Sequence, residues 1–118
     1  MKIKEGLPRA SVSVKRRKHG EQLQEQYSGY EVRLLRENWD GVLQVEFESG
    51  DGMVTAVPVR EILSGKPGER LILADCKNGV PMYTKEGDVR YRLVAEQDKT
   101  GRRWCRDIVG MEFVEESK

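Results

Sequence analysis

Short runs in which apolar and polar residues alternate, each closed by a turn signal, constrain this chain more than any other feature. Val89, Tyr91, Leu93 and Ala95 alternate with Arg90, Arg92, Val94 and Glu96. Leu43, Val45 and Phe47 alternate with Gln44, Glu46 and Glu48. A period of two sends successive side chains to opposite faces of a strand, so each run reads as a strand with one face in a core and one in water. Asn38-Trp39-Asp40-Gly41 and Asn78-Gly79 supply residues that tolerate positive φ, the requirement of a tight turn. Lys99-Thr100-Gly101 is read in the same way as a turn into the last strands.

The remaining segments extend the pattern. Tyr30, Val32 and Leu34 alternate with Glu31, Arg33 and Leu35, a further strand. Ser49-Gly50-Asp51-Gly52 is a break, after which Met53 to Val59 resumes, with Pro58 arguing for an edge position. Arg60 to Ser64 reads as one helical turn stopped by Gly65 and Pro67. Leu71 to Ala74 is a short apolar strand and Pro81 to Thr84 a weaker one. Trp104 to Val109, a bend or bulge at Gly110, and Met111 to Phe113 complete the sheet. Six or seven short strands at regular turn spacing predict an all-β fold, a small antiparallel β-barrel whose closure removes exposed edges.

A chain of 118 residues has room for one such core. Charged residues make up 35% and hydrophobic ones 37%, the balance of a small body with thin layers. No run approaches the roughly 18 apolar residues of a membrane span, and the first residues lack a secretory apolar region, so the expected address is the cytoplasm. Cys76 and Cys105 lack neighbouring ligands for a zinc site and are expected to be free thiols.

Charge is unevenly spread. Residues 1–28 hold seven Lys or Arg against three Glu, whereas residues 29–118 hold fourteen against seventeen acidic residues. Lys15, Arg16, Arg17, Lys18 and His19 form the densest cluster. The expected organisation is a flexible basic N-terminal arm over 1–28 and a β-barrel domain over 29–118. Within the arm, Ser11 to Val14 suits a short edge strand, and Gly20 to Tyr27, rich in helix formers, suits one docked helical turn or a linker. Such an arm meets phosphate, anionic lipid or an acidic protein face. The only histidine is His19, inside that cluster, and no nucleotide-binding loop, dinucleotide fingerprint or metalloprotease pattern occurs. An enzyme is not expected.

Three stretches resemble the PilZ domain family of small bacterial β-barrels. Phe47-Glu48-Ser49-Gly50-Asp51-Gly52-Met53 is similar to the family's [D/N]xSxxG turn. Pro67-Gly68-Glu69-Arg70-Leu71-Ile72-Leu73 is similar to its mid-domain strand entry, and Ile108-Val109-Gly110-Met111-Glu112-Phe113-Val114 to its closing strand. The resemblance covers roughly residues 15–116. It implies a cytoplasmic signalling adaptor with cyclic di-GMP as a regulatory ligand, no other cofactor, and a protein partner of unspecified identity. The ligand would lie between the upstream basic cluster (Lys15, Arg16, Arg17, Lys18, His19) and the turn residues Ser49, Asp51 and Gly52. Arginine suits this chemistry because its planar fork matches phosphate oxygens and the guanine edge.

The chain departs from the family pattern at both halves of that site. Phe47 stands where the family carries Asp or Asn, and no RxxxR precedes the barrel. Arg102 and Arg106 have that spacing but lie in the penultimate strand region, and are read as coincidental. A degenerate member would act through protein contacts. The alternative is an SH3-like or OB-like nucleic-acid-binding barrel that uses the basic arm, with Trp39, Tyr83, Tyr91 and Trp104 as stacking candidates. A pI of 7.7 is low for such a protein, and a barrel of this size needs several of its aromatics inside.

Overall fold

Alternation resolves into eight strands of a single antiparallel sheet: β1 Ala10–Lys18, β2 Glu21–Glu31, β3 Val42–Ser49, β4 Val54–Pro58, β5 Leu71–Lys77, β6 Val80–Pro81, β7 Tyr91–Ala95 and β8 Cys105–Glu115. The computed structural model describes residues 3–64, 66–96 and 104–116 and, within these, every side chain except those of Arg16, Arg17 and Lys18. Strands follow the order β1-β2-β5-β7-β8-β3-β4, and β6 pairs with β5. The sheet curls in the manner of a barrel, but β1 and β4 remain its two ends and it does not close. The expected all-β class holds. Among the described residues, eight strands replace the expected six or seven, and the barrel-like sheet is open rather than closed.

The larger correction concerns the N-terminal region. Residues 10–28 are not an arm apart from the sheet. They form β1 and most of β2, a hairpin with continuous register from Ala10↔Gly29 to Lys18↔Glu21. The edge strand expected at Ser11–Val14 is present but runs to Lys18. The helical turn expected over Gly20–Tyr27 is a strand, because Val12, Val14 and Tyr27 share one face of the hairpin and are buried in the core. Burial of three large side chains outweighs the few tenths of a kcal/mol per residue that helix propensity offers Glu and Gln.

Flanked by β2 and β7, β5 is buried from Leu71 to Ala74. Ile72 and Leu73, successive residues on opposite faces, are both sealed from solvent. Phe47, Val45, Leu93, Val94 and Ile108 complete the packed layer around them. The strand expected over Tyr30–Leu35 stops at Glu31 and turns through a 3₁₀ segment, Val32–Leu34, which puts Val32 into the core. A single helical turn, α1 Val59–Ile62, follows β4, and Pro58 stands at the end of that edge strand, as its missing N–H requires. The turn at Gly41 is present, while the expected Lys99–Gly101 turn lies outside the described residues.

Extra residues kink the ladder where it curves. Between β2 and β5, Ser28 pairs with Cys76 and Gly29 with Ala74, so Asp75 is unpaired in the ladder. Between β3 and β8, Glu48 pairs with Gly110 and Ser49 with Ile108, leaving Val109 extra beside the glycine expected to permit a bulge. Such insertions bend and twist a strand, which lets a sheet of this width wrap around its core.

Candidate functional site

The basic cluster occupies the far half of the β1–β2 hairpin. His19 and Gly20 make its turn with φ of 52° and 79°, the doubly positive pair that a two-residue hairpin needs for its twist to match the strands. On one side, β2 is joined to β5 only from Tyr27 to Glu31. On the other, β1 is the end of the sheet. The stretch from Lys15 around to Gln24 is therefore a two-stranded ribbon reaching past the third strand. The molecule measures 49 × 33 × 29 Å along its principal axes.

Register sorts the ribbon into two faces. Val12↔Tyr27 and Val14↔Glu25 face the core at the base, where all four residues are buried. The alternate pairs are Ser11↔Ser28, Ser13↔Gln26 and Lys15↔Gln24, with Arg17 opposite Gln22 next in the register. Ser11, Ser13, Lys15, Gln22, Gln24 and Gln26 are exposed. No carboxylate occupies any position of this outer set; Glu21 and Glu25 belong to the other. Three carboxamides at alternate positions of one strand lie beside lysine and serine on its partner.

A buried polar network holds the base. Tyr27 donates its hydroxyl proton to Glu25 at 2.6 Å and accepts a bond from Arg92 at 3.1 Å. Lys77 reaches the same carboxylate at 3.5 Å. The Arg92 guanidinium stands 5.4 Å from the Tyr27 ring and 5.0 Å from that of Trp104, and the two rings meet edge to face at 5.3 Å. Asn78, in the turn between β5 and β6, accepts a bond from the Gln26 amide at 2.8 Å and donates its own amide proton to the Gln26 carbonyl at 2.7 Å. Nearby, Arg9 forks onto Asp75 with bonds of 2.7 and 2.6 Å and lies 4.9 Å from the Tyr30 ring. Burial pushes the Asp75 carboxyl up, but the bonds from Arg9 and Cys76 outweigh it and hold the group below the usual carboxylate range.

The second expected half of the site is the turn between β3 and β4. The Ser49 hydroxyl bonds the Asp51 carboxylate and holds it below its ordinary range, with a further bond from the Met53 amide at 3.0 Å. Gly52 has φ of 90°, so this position favours glycine on backbone grounds. The turn opens on a cleft of about 280 Å³ whose lining includes Thr55, Trp104, Cys105, Arg106 and Asp107. The cleft gives Arg106 a place beside Ser49 and Asp51 that its sequence position did not suggest; Arg102 lies outside the described residues. Among the described side chains of the basic cluster, neither Lys15 nor His19 lines it.

Comparison with protein-family models, with curated proteins and with solved structures returned no match. Among the described residues, no group of three or more His, Cys, Asp or Glu is placed to hold a metal ion. No described helix is long and apolar enough to cross a membrane. Of the stacking candidates, Trp104 is buried, and Trp39 packs edge to face on Phe113 while donating its indole proton to the Arg33 carbonyl. Tyr91 is half-buried, and Tyr83 is exposed. Sequence reasoning missed Gln22, Gln24 and Gln26. Their spacing of two was the available signal, hidden by the helical reading of the same segment.

Proposed function

We propose that this chain is a non-enzymatic nucleic-acid-binding module whose contact surface is the projecting β1–β2 ribbon. The observation that carries this reading is the placement of the basic cluster: it tips a two-stranded ribbon whose outer face holds no acid. A near-neutral overall charge does not oppose it, because the excess of acidic residues lies in residues 29–118. Local charge governs phosphate contact, as screening confines each interaction to about 8 Å at physiological salt.

Four cations, Lys15 to Lys18, set the expected salt response. If each neutralises one phosphate, the logarithm of affinity falls against the logarithm of salt with a slope of about −3 to −4. Fluorescence anisotropy of a labelled 20-base-pair random duplex between 50 and 200 mM salt reads this slope. Substituting Lys15, Arg16, Arg17 and Lys18 together by alanine abolishes the binding on this reading. Absence of binding, or binding that survives the fourfold substitution, overturns it.

A second reading keeps the PilZ-like adaptor, with cyclic di-GMP as ligand. It draws on the Ser49–Gly52 turn and the cleft that Arg106 shares with it. Calorimetry with cyclic di-GMP tests it: near-stoichiometric heat lost on Ser49→Ala supports it, and no heat removes it.

A further inference from the structure

Resting on the nucleic-acid reading, we infer that the outer face of the ribbon enters the major groove of duplex DNA and that Gln22 and Gln24 read base edges there. A two-stranded β-ribbon is one of the two protein elements that the roughly 12 Å major groove of B-DNA admits. Its counterpart in A-form RNA is too deep and narrow for side chains to read. Recognition of single strands uses aromatic platforms. The outer set of register positions, Ser11, Ser13, Lys15 and Arg17 against Gln22, Gln24, Gln26 and Ser28, contains no aromatic residue.

What the face does carry matches the donor and acceptor code of the groove. A glutamine carboxamide presents a donor and an acceptor side by side, the complement of adenine N7 and N6. Gln22 and Gln24 are two residues apart on one strand, so they stand about 7 Å apart, or two base-pair steps. Lys15, directly opposite Gln24, is placed for the flanking phosphates. Gln26 lies at the base, its backbone held by Asn78, and marks where the groove contact ends. From Lys15 to Lys18 the overhang is about 10 Å long, which limits the site read by one ribbon to three or four base pairs.

The buried Glu25–Tyr27–Arg92 network gives this geometry its stiffness. Base readout needs side chains held in register, and the ribbon continues directly into core strand positions sealed at Val12, Val14 and Tyr27.

The test is selection from a pool of DNA duplexes with a randomised ten-base-pair centre, run beside a matched single strand and a matched RNA duplex. The inference expects preference for duplex DNA and an enriched three- to four-base-pair motif containing adenine. Gln24→Ala, at an exposed position, relaxes one position of that motif by roughly tenfold. Lys15→Ala instead weakens all sequences alike and makes the salt slope shallower by about 1. DNA binding without a motif, a motif unchanged by Gln22→Ala and Gln24→Ala, or equal affinity for single strands overturns the groove assignment while leaving the wider reading standing. No salt-sensitive binding to any of the three pools removes both.

Discussion

Gly29 and Leu73 approach so closely across the β2–β5 ladder that a Cβ on the glycine would stand 2.1 Å from the Leu73 carbonyl oxygen. The glycine has no unusual backbone angle; its need is steric. It sits where β2 leaves the ribbon and enters the body of the sheet, beside the extra residue Asp75. Gly29→Ala forces β5 backbone to move and is expected to cost about 3 kcal/mol, at the upper end for overpacking. A urea midpoint equal to that of the wild type contradicts this.

Removing one hydroxyl tests the anchor of the ribbon. Tyr27→Phe deprives the buried Glu25 carboxylate of its 2.6 Å donor and Arg92 of an acceptor, an expected loss of about 1 to 3 kcal/mol. In a double-mutant cycle with Glu25→Gln, the two losses do not add, with a coupling of about 1 kcal/mol. Strict additivity in denaturant unfolding argues against the network as a unit.

Acid sensitivity follows from two carboxylates. Burial pushes Glu96 up, yet bonds from Arg70 and from the Gly68 amide outweigh it and leave the group below its ordinary value. Asp75 behaves alike with Arg9. A carboxyl depressed in the folded state stabilises fully above its unfolded value and loses that contribution as pH falls through the folded one. Stability from these pairs is therefore level from neutral pH down to about 5 and declines below about 4. Unfolding midpoints across pH check it: Asp75→Asn and Glu96→Gln lower the neutral plateau and flatten the acid limb.

The two thiols differ in reach. Burial pushes the Cys105 thiol up, and it packs in the core, while Cys76 is half-buried. A neutral-pH thiol reagent is expected to modify Cys76 in the native protein and Cys105 only after unfolding. Two equally fast reactions contradict the placement of Cys105.

Much of the sheet was legible because local pattern and tertiary demand agree there. The alternation at Gln44–Glu48, the Asn78-Gly79 turn and the edge position of Pro58 follow from residues that touch their own neighbours. By contrast, Leu43, expected on the core face, is exposed at a break in register, and Val94, expected on the wet face, is sealed in the core. The hairpin over residues 10–31 was not legible in the same way. Glu, Gln and Leu between Gly20 and Tyr27 favour a helix locally, and only contacts with Lys77, Asn78, Arg92 and Trp104, far along the chain, decide for a strand. His19-Gly20 is the signal that weighed too little, since histidine is among the residues that visit positive φ more readily. The Ser49–Gly52 turn was read correctly as a turn, but its neighbour Arg106 comes from a bulged strand whose register no local pattern records.

The ladder between Lys15 and Gln24 is already hydrogen-bonded in the free protein, and this shapes the thermodynamics of any encounter. An arm that folds onto its ligand loses chain entropy at that moment and shows a large negative heat-capacity change. A ribbon braced by Tyr27 and Trp104 has paid that entropy when the protein folded. Its association is expected to show a small heat-capacity change and a rate set by electrostatic steering rather than by a folding step.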